Sequence, residues 1–187
     1  VVEFAITHFS IFQIFQSLAP IRLPTDEVSV DFDPFWDGFP AINRPTDAYP
    51  GICWGMTYFT LWYWRNVRKG DGDLRKRFGQ REAIEGFANA VQQFAPETPH
   101  YSWSLLDDEQ QLYEIIEELK HRGEPVPVDL GYVRPFTEGH EVLAYKWTGE
   151  ELLCWDPNGA PINCPSSSTT DLPSVGVGVI KLSLIHI

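Results

Sequence analysis

Cys53 lies in the segment GICWGM (51–56), between two glycines and at the start of a long aromatic run. Pro50 and Gly51 interrupt the chain, and the residues that follow have the apolar content of a buried helix. The free N–H groups and partial positive charge at a helix N-terminus lower the pKa of a thiol. Gly51 and Gly55 would also let a substrate backbone come close. The position makes Cys53 a candidate nucleophile; the alternative is a cysteine that only packs in the core.

A second segment, EGHEVLAYKWTGEELLCWDPN (138–158), offers a base and a carboxylate. His140 stands at the start of a predicted strand, and a β-hairpin would bring the chain back to Asp156 after 156 − 140 = 16 residues. A nucleophile, a base and a group that orients the base are the minimal set for covalent catalysis. The alternative is that both side chains lie at strand ends and bond only to backbone.

The composition limits the classes of function. The chain has 187 residues, 43% of them hydrophobic, and a formal net charge of −12, which predicts one acidic folded domain. Nucleic acid is not expected as a partner, because phosphate binding needs a basic face. No window of 18 apolar residues occurs, so no membrane span is predicted. The basic residues cluster in one stretch, for which a solvated helical surface is predicted: Arg65, Arg68, Lys69, Arg75, Lys76, Arg77 and Arg81.

Residues 1–50 are predicted to form an extended arm over a domain formed by residues 51–187. Prolines at 20, 24, 34, 40, 45 and 50 argue against long helices in the arm. The chain lacks an initiating Met and a basic region before its first apolar segment, so a truncated N-terminus is predicted and the compartment stays open. The predicted anchors of the arm are aromatic: Phe32, Phe35, Trp36 and Phe39.

The hydrophobic period changes from helical to strand-like at Gly123. Helices are predicted over 53–68, 80–95 and 105–121. The first is apolar nearly all round, which predicts a buried central helix. The second has one apolar stripe: Ile84, Phe87, Ala88, Val91 and Phe94. Strands are predicted at 126–130, 142–145, 152–155 and within 174–184, the middle two joined by a turn at Thr148-Gly149. Helices followed by an antiparallel sheet predict an α+β fold.

Together these segments resemble the papain-like cysteine peptidase superfamily, and within it the bacterial domains similar to bacteriocin-leader peptidases ("C39-like"). The resemblance covers about 43–60 and 123–158 and rests on GICWGM and on the pair GHEVLAY and CWDPN. It implies a Cys-bearing helix packed on an antiparallel sheet. It also implies a hydrolase for peptide or amide bonds, with Cys53 as nucleophile, His140 as base and Asp156 as the orienting carboxylate. A peptide or protein substrate is implied, and no cofactor.

The sequence departs from this family at the residue that completes the oxyanion hole. Many members have a Gln about six residues before the Cys, where this chain has Asp47, which cannot donate a hydrogen bond when ionised. Asn43 lies slightly further back and is the candidate replacement. Trp54 and Gly139, next to the predicted nucleophile and base, are the other predicted cleft residues.

Three alternatives stay open. GICW and the later Trp-Asp-Pro also resemble the transglutaminase-like domains, which would make Cys53 attack a glutamine amide and pass the acyl group to an amine or water. A second alternative is a non-catalytic domain of the same fold that binds a peptide. A third is an assembly domain whose aromatic segment 31–40 docks on a partner.

Other chemistry is not expected from the remaining polar residues. The other histidines and acidic pairs are too scattered for a metal site, and no glycine-rich phosphate loop occurs. Cys154 and Cys164 flank a turn, so either a hairpin disulfide or two free thiols is expected. The final residues, LSLIHI, resemble translated adaptor sequence, and His186 is left out of the candidate site.

Overall fold

The computed structural model describes residues 22–78, 81–94, 108–131, 139–159 and 178–182, and apart from a two-residue strand at 28–29 its helices come first and its strands second. This order confirms the predicted α+β class. None of the helices in these ranges is long and apolar enough to span a membrane. The helices are α1 (Cys53–Asn66), α2 (Arg68–Asp71), α3 (Leu74–Arg77), α4 (Arg81–Gln92) and α5 (Asp108–Arg122). The strands are β1 (Val28–Ser29), β2 (Val126–Gly131), β3 (Gly139–Trp147), β4 (Leu152–Asp156) and β5 (Gly178–Leu182).

Strand β3 is the centre of an antiparallel sheet. It pairs with β4 on one side, and β5 pairs with β4 beyond it. On the other side, β2 pairs with the first part of β3 and β1 pairs with its end. The β3–β4 register shifts between Ala144 and Lys146, which marks an irregularity in the central strand.

Alternate residues of β3 face two hydrophobic cores. Leu143 and its β4 partner Trp155 pack with the buried face of α1. Ala144 and its partner Cys154 pack on the opposite side, where α5 covers the sheet. This is the expected alternation of a strand that is buried on both faces. The sheet therefore lies between α1 and α5, with β3 and β4 central to both cores.

The predicted helix boundaries agree with the structure to within a few residues, but two apolar faces are less buried than predicted. In α1, Met56 and Tyr63 are buried, whereas Trp62 is 52% exposed. In α4, Ile84 and Ala88 are buried, whereas Phe87 and Phe94 of the predicted stripe are exposed. The predictions failed because periodicity identifies an apolar face without showing what covers it.

The segment from 22 to 50 is largely irregular and adds side chains to the α1 core. Phe32 and Phe39 are buried there, and Phe35 packs at the edge. Asp37 is a buried residue of this segment and forms an ion pair of 2.9 Å with Arg68. Burial raises the pKa of Asp37 to about 6, against the opposing effects of a backbone hydrogen bond and of Arg68.

The predicted solvated surface of the basic stretch is wrong for two of its residues. The Arg75 side chain is buried, its Nε donates to the carbonyl of Phe35 at 2.6 Å, and its guanidinium lies 4.5 Å from the Phe35 ring centroid. Arg68 pairs with Asp31 as well as Asp37. Their long side chains cross the boundary between the helices and the arm, so these cations hold the arm in place.

Helices α1 and α4 touch at Gly55, which is the physical reason for a glycine there. A Cβ at this position would overlap the Ala88 carbonyl and lie 3.0 Å from the backbone nitrogen of Gln92. The Gly55 N–H donates to the Gln92 side-chain oxygen at 2.8 Å. The close approach predicted beside Cys53 is therefore made by α4 at this glycine, and at Gly51 the neighbour is the Asn43 side chain.

We expect Gly55→Ala to lower the free energy of unfolding by about 2 kcal/mol, because the new methyl group would push rigid backbone apart. The matched control is Gly86→Ala in α4. Gly86 is exposed and has open space around it, so alanine should raise stability by about 0.5–1 kcal/mol through helix propensity. Urea denaturation of both variants measures the difference; equal gains would contradict the close α1–α4 contact.

Candidate functional site

The first turn of α1 holds Cys53 at the edge of the sheet. Ile52 is the N-cap residue, and its backbone N–H donates to the Asn43 side-chain oxygen at 2.6 Å. Gln92 accepts the N–H of Gly55 in the same turn. Two side chains from outside α1 thus satisfy N–H groups that a helix N-terminus leaves unpaired. Cys53 itself is partly exposed and is a free thiol.

His140 and Asp156 lie at neighbouring ends of adjacent strands. The antiparallel register that pairs Ala144 with Cys154 brings the start of β3 beside the end of β4. His140 is near the start of β3 and Asp156 ends β4. The His140 Nε2 and Asp156 Oδ1 atoms are 2.7 Å apart, and the two side chains are 18% and 15% exposed. This is a short, largely buried, charge-assisted contact.

Cys53 and His140 form a hydrogen bond that stabilises the charged form of both. Burial alone would raise the pKa of Cys53. The hydrogen bond with His140 and those from the backbone N–H groups of Glu141 and Trp54 outweigh that effect and lower the pKa. Burial alone would lower the pKa of His140, but the bonds with Asp156 and Cys53 raise it to about 9. Both shifts therefore favour a thiolate beside an imidazolium over the neutral pair.

The His140 ring nitrogen that faces Asp156 is Nε2. Nδ1 is therefore the ring nitrogen left as the candidate partner of the Cys53 thiol. Burial opposes ionisation of Asp156, but its bonds with His140 and with the Asn158 N–H lower its pKa. An ionised Asp156 requires the proton on Nε2, so the neutral ring has a free Nδ1 that can accept a proton from the thiol.

Two asparagines surround this set, and one of them was not predicted. The Asn158 N–H donates to Asp156 Oδ1 at 2.8 Å, and its amide nitrogen lies 3.2 Å from His140 Nε2. The Asn43 amide nitrogen donates to the Asn158 side-chain oxygen at 2.8 Å. Asn158 was missed because its signal was only its place in the Asp156-Pro157-Asn158 turn, where asparagine is common for local reasons.

Glu141 is a buried carboxyl beside the candidate site. Its residue is 7% exposed, and it pairs in register with Asp129 of β2. Burial, followed by repulsion from Asp129 and Cys53, raises the pKa of Glu141 to about 8, against a smaller attraction to His140. Burial and the same carboxylates raise the pKa of Tyr58 to about 12. Glu141 is therefore mostly protonated near neutral pH and leaves His140 as the charged partner of the thiolate.

The remaining predicted site residues have different positions. Trp54 follows the nucleophile in α1 and stacks on Tyr58 with ring centroids 4.3 Å apart. Gly139 precedes His140 and pairs with Gly131. Asp47 is exposed in a turn closed by the bond from the Thr46 N–H to the Tyr49 carbonyl. No contact among the described residues links Asp47 to Cys53.

The second described cysteine has the opposite environment to Cys53. Cys154 is a fully buried free thiol in the α5 core, and burial raises its pKa. Cys164, its predicted disulfide partner, lies outside the described residues. Within the described ranges, no group of three His, Cys, Asp or Glu side chains could hold a metal ion.

No protein-family model, curated protein or solved structure matches the chain. Functional inference therefore rests on the residues themselves, and above all on the contacts among Cys53, His140 and Asp156.

We expect Cys53 to react with iodoacetamide well below pH 7, because its thiolate is stabilised by His140. In a Cys154→Ser, Cys164→Ser background, His140→Ala should lower the rate at pH 6 at least about tenfold, which corresponds to a rise of one unit in the thiol pKa. His121→Ala, which removes an exposed histidine of α5, is the control and should leave the profile unchanged. A wild-type rate that rises only near pH 8.5 would contradict the ion pair.

We expect Glu141→Gln to stabilise the fold at alkaline pH. The raised pKa of Glu141 means that its favourable contribution is complete below the unfolded-state value of 4.5 and is lost as the pH rises through about 8. The variant should match the wild type near pH 4.5 and exceed it near pH 8.5, by on the order of a few kcal/mol. Urea denaturation at both pH values measures this. Glu150→Gln, at the exposed β3–β4 turn, gives the effect of removing one surface charge.

Proposed function

We propose that the chain is a papain-like cysteine hydrolase that cleaves peptide or amide bonds. The observation that supports this best is the continuous contact from the Cys53 thiol through His140 to Asp156. It joins the N-terminus of α1 to the ends of β3 and β4. Each member has the role that covalent catalysis requires: nucleophile, base, and a group that fixes the base.

In the proposed reaction, the Cys53 thiolate attacks the carbonyl carbon and forms a tetrahedral intermediate. His140 then gives its Nδ1 proton to the leaving nitrogen, the C–N bond breaks, and a thioester with Cys53 remains. Neutral His140 next removes a proton from water, whose oxygen attacks the thioester. The carboxylic acid leaves, and the thiolate and imidazolium are restored. Asp156 keeps the Nε2 proton in place throughout.

The oxyanion needs hydrogen-bond donors near Cys53. The backbone N–H of Cys53 belongs to the first turn of α1, where helix N–H groups point out of the helix end. Gln92 already accepts the Gly55 N–H, and the Cys53 N–H has no acceptor among the described residues. It is the first candidate donor. Asn43 stays a candidate for the second, since one of its amide protons is used by Asn158 and the other is available.

The transglutaminase-like alternative shares the first half of this chemistry. Both reactions form a thioester on Cys53 and differ only in whether water or an amine attacks it. The non-catalytic alternative requires no activated thiol, and it leaves the opposed pKa shifts of Cys53 and His140 without a use. For this reason the hydrolase is preferred to a binding domain.

A library of fluorogenic peptide amides tests the proposal. We expect Cys53→Ala to remove turnover, and His140→Ala to lower kcat/KM by about 10²- to 10⁴-fold, the usual contribution of a general acid–base group. Asp156→Asn should also lower kcat, because it removes the charge that stabilises the imidazolium. His121→Ala is the matched control. Turnover that survives in Cys53→Ala would reject the thiol mechanism, and incorporation of a fluorescent primary amine into a glutamine substrate would favour acyl transfer.

A further inference from the structure

A chain of side-chain amides connects the N-terminus of α1 to the imidazole of His140. It begins at the Ile52 N–H, which donates to Asn43 Oδ1 at 2.6 Å. Asn43 Nδ2 donates to Asn158 Oδ1 at 2.8 Å, and Asn158 Nδ2 lies 3.2 Å from His140 Nε2. Asn43 is 115 residues from Asn158 in sequence. This series of side-chain amides therefore joins the irregular segment before α1 to the turn after β4.

The orientation of both amides follows from the first bond. A backbone N–H can only donate, so the Asn43 atom that faces Ile52 must be its oxygen. The other end of that amide is then a donor, and the Asn158 atom that accepts it must also be an oxygen. The Asn158 NH₂ group is consequently the end that faces His140. The orientation of both side-chain amides thus follows from the single backbone donor at Ile52.

Asp156, and not Asn158, is the acceptor for the Nε2 proton of His140. The Asn158 NH₂ group can only donate, so its 3.2 Å contact with a protonated Nε2 is not a hydrogen bond, and that proton goes to Asp156 Oδ1, 2.7 Å away. The same Oδ1 atom accepts the Asn158 N–H at 2.8 Å. Asn158 therefore holds the carboxylate with its backbone N–H, and its side-chain oxygen ties the same turn to Asn43.

A second pair of contacts fixes the distance between the two halves of the site. The Asn43 N–H donates to the Pro157 carbonyl at 2.8 Å, in addition to the amide bond with Asn158. Asn43 thus holds the turn after Asp156 with both backbone and side chain, and the N-cap of the Cys-bearing helix with its oxygen. These three bonds oppose a displacement of either half of the site relative to the other.

We propose that Asn43 and Asn158 are positioning residues, which hold the N-terminus of α1 against the Asp156–Asn158 turn so that the Cys53 thiol and His140 stay hydrogen bonded. The inference rests on the proposed function, since it concerns the same nucleophile and base. Neither asparagine touches the reacting atoms in this role. Their contribution is geometric and should appear as a change in the acidity of the thiol.

The test is the pH profile of Cys53 alkylation by iodoacetamide in Asn43→Ala, in Asn158→Ala and in the double variant, each in the Cys154→Ser, Cys164→Ser background. We expect each single substitution to move the acid limb up by about one pH unit, which is a tenfold lower rate at pH 6. The acid limb of the double variant should shift little further, because each substitution breaks the same Asn43–Asn158 hydrogen bond. Asn66→Ala, an exposed asparagine at the end of α1, is the matched control and should not shift.

Thermal unfolding of every variant separates positioning from general stability. If Asn43→Ala does not fold, Asn158→Ser keeps the backbone bond to Asp156 and removes only the amide, so it tests the same shift. A lower Tm with an unchanged pH profile would overturn the positioning role while leaving the proposed hydrolase intact. A wild-type profile with an ordinary thiol pKa would overturn both, because there would be no activated pair to position.

Discussion

The contact between Cys53 and His140 is the interaction on which the candidate site depends. A thiolate in a partly buried place is unfavourable unless a cation or hydrogen-bond donors compensate for the lost solvent. Here burial acts against charge on both residues, and their mutual hydrogen bond, with Asp156 behind it, reverses the balance for each. Each of the three pKa shifts depends on a neighbour within the set, so the removal of one side chain changes the electrostatic balance of the others.

That contact sets requirements on the fold around it. The thiol must lie at a helix N-terminus and the imidazole at a strand end, so α1 has to cross the sheet at one defined position. The packing of Leu143 and Trp155 against α1 fixes the depth of the crossing. The Thr57 hydroxyl adds a buried bond of 3.3 Å to the Glu141 carbonyl, one residue beyond His140. The site is therefore built on packed elements, whose positions vary less than those of loops.

The sequence allowed the local parts of this arrangement to be predicted and left the long-range parts open. Cys53, His140 and Asp156 could be predicted as a set because each stands at a recognisable place in the sequence: after a helix break, at the start of a strand, and at the end of a hairpin. The exposure of Trp62 and the burial of Arg75 were not predictable from periodicity, since both depend on which segment lies above them. Asn158 was missed for a similar reason, because its partner is 115 residues away.

Glu141 shows that the site is not arranged for stability alone. A carboxyl that is 7% exposed, in register with Asp129 and with no cation among its described electrostatic partners except His140, weakens the fold as the pH rises. An aliphatic residue at the same position of β3 would pack against α1 without that cost. While protonated, Glu141 adds no negative charge near the thiolate; once ionised, it would compete with Cys53 for the imidazolium and raise the pKa of the thiol. The electrostatic balance of the Cys53–His140 pair therefore changes as the pH rises through about 8, where Glu141 ionises.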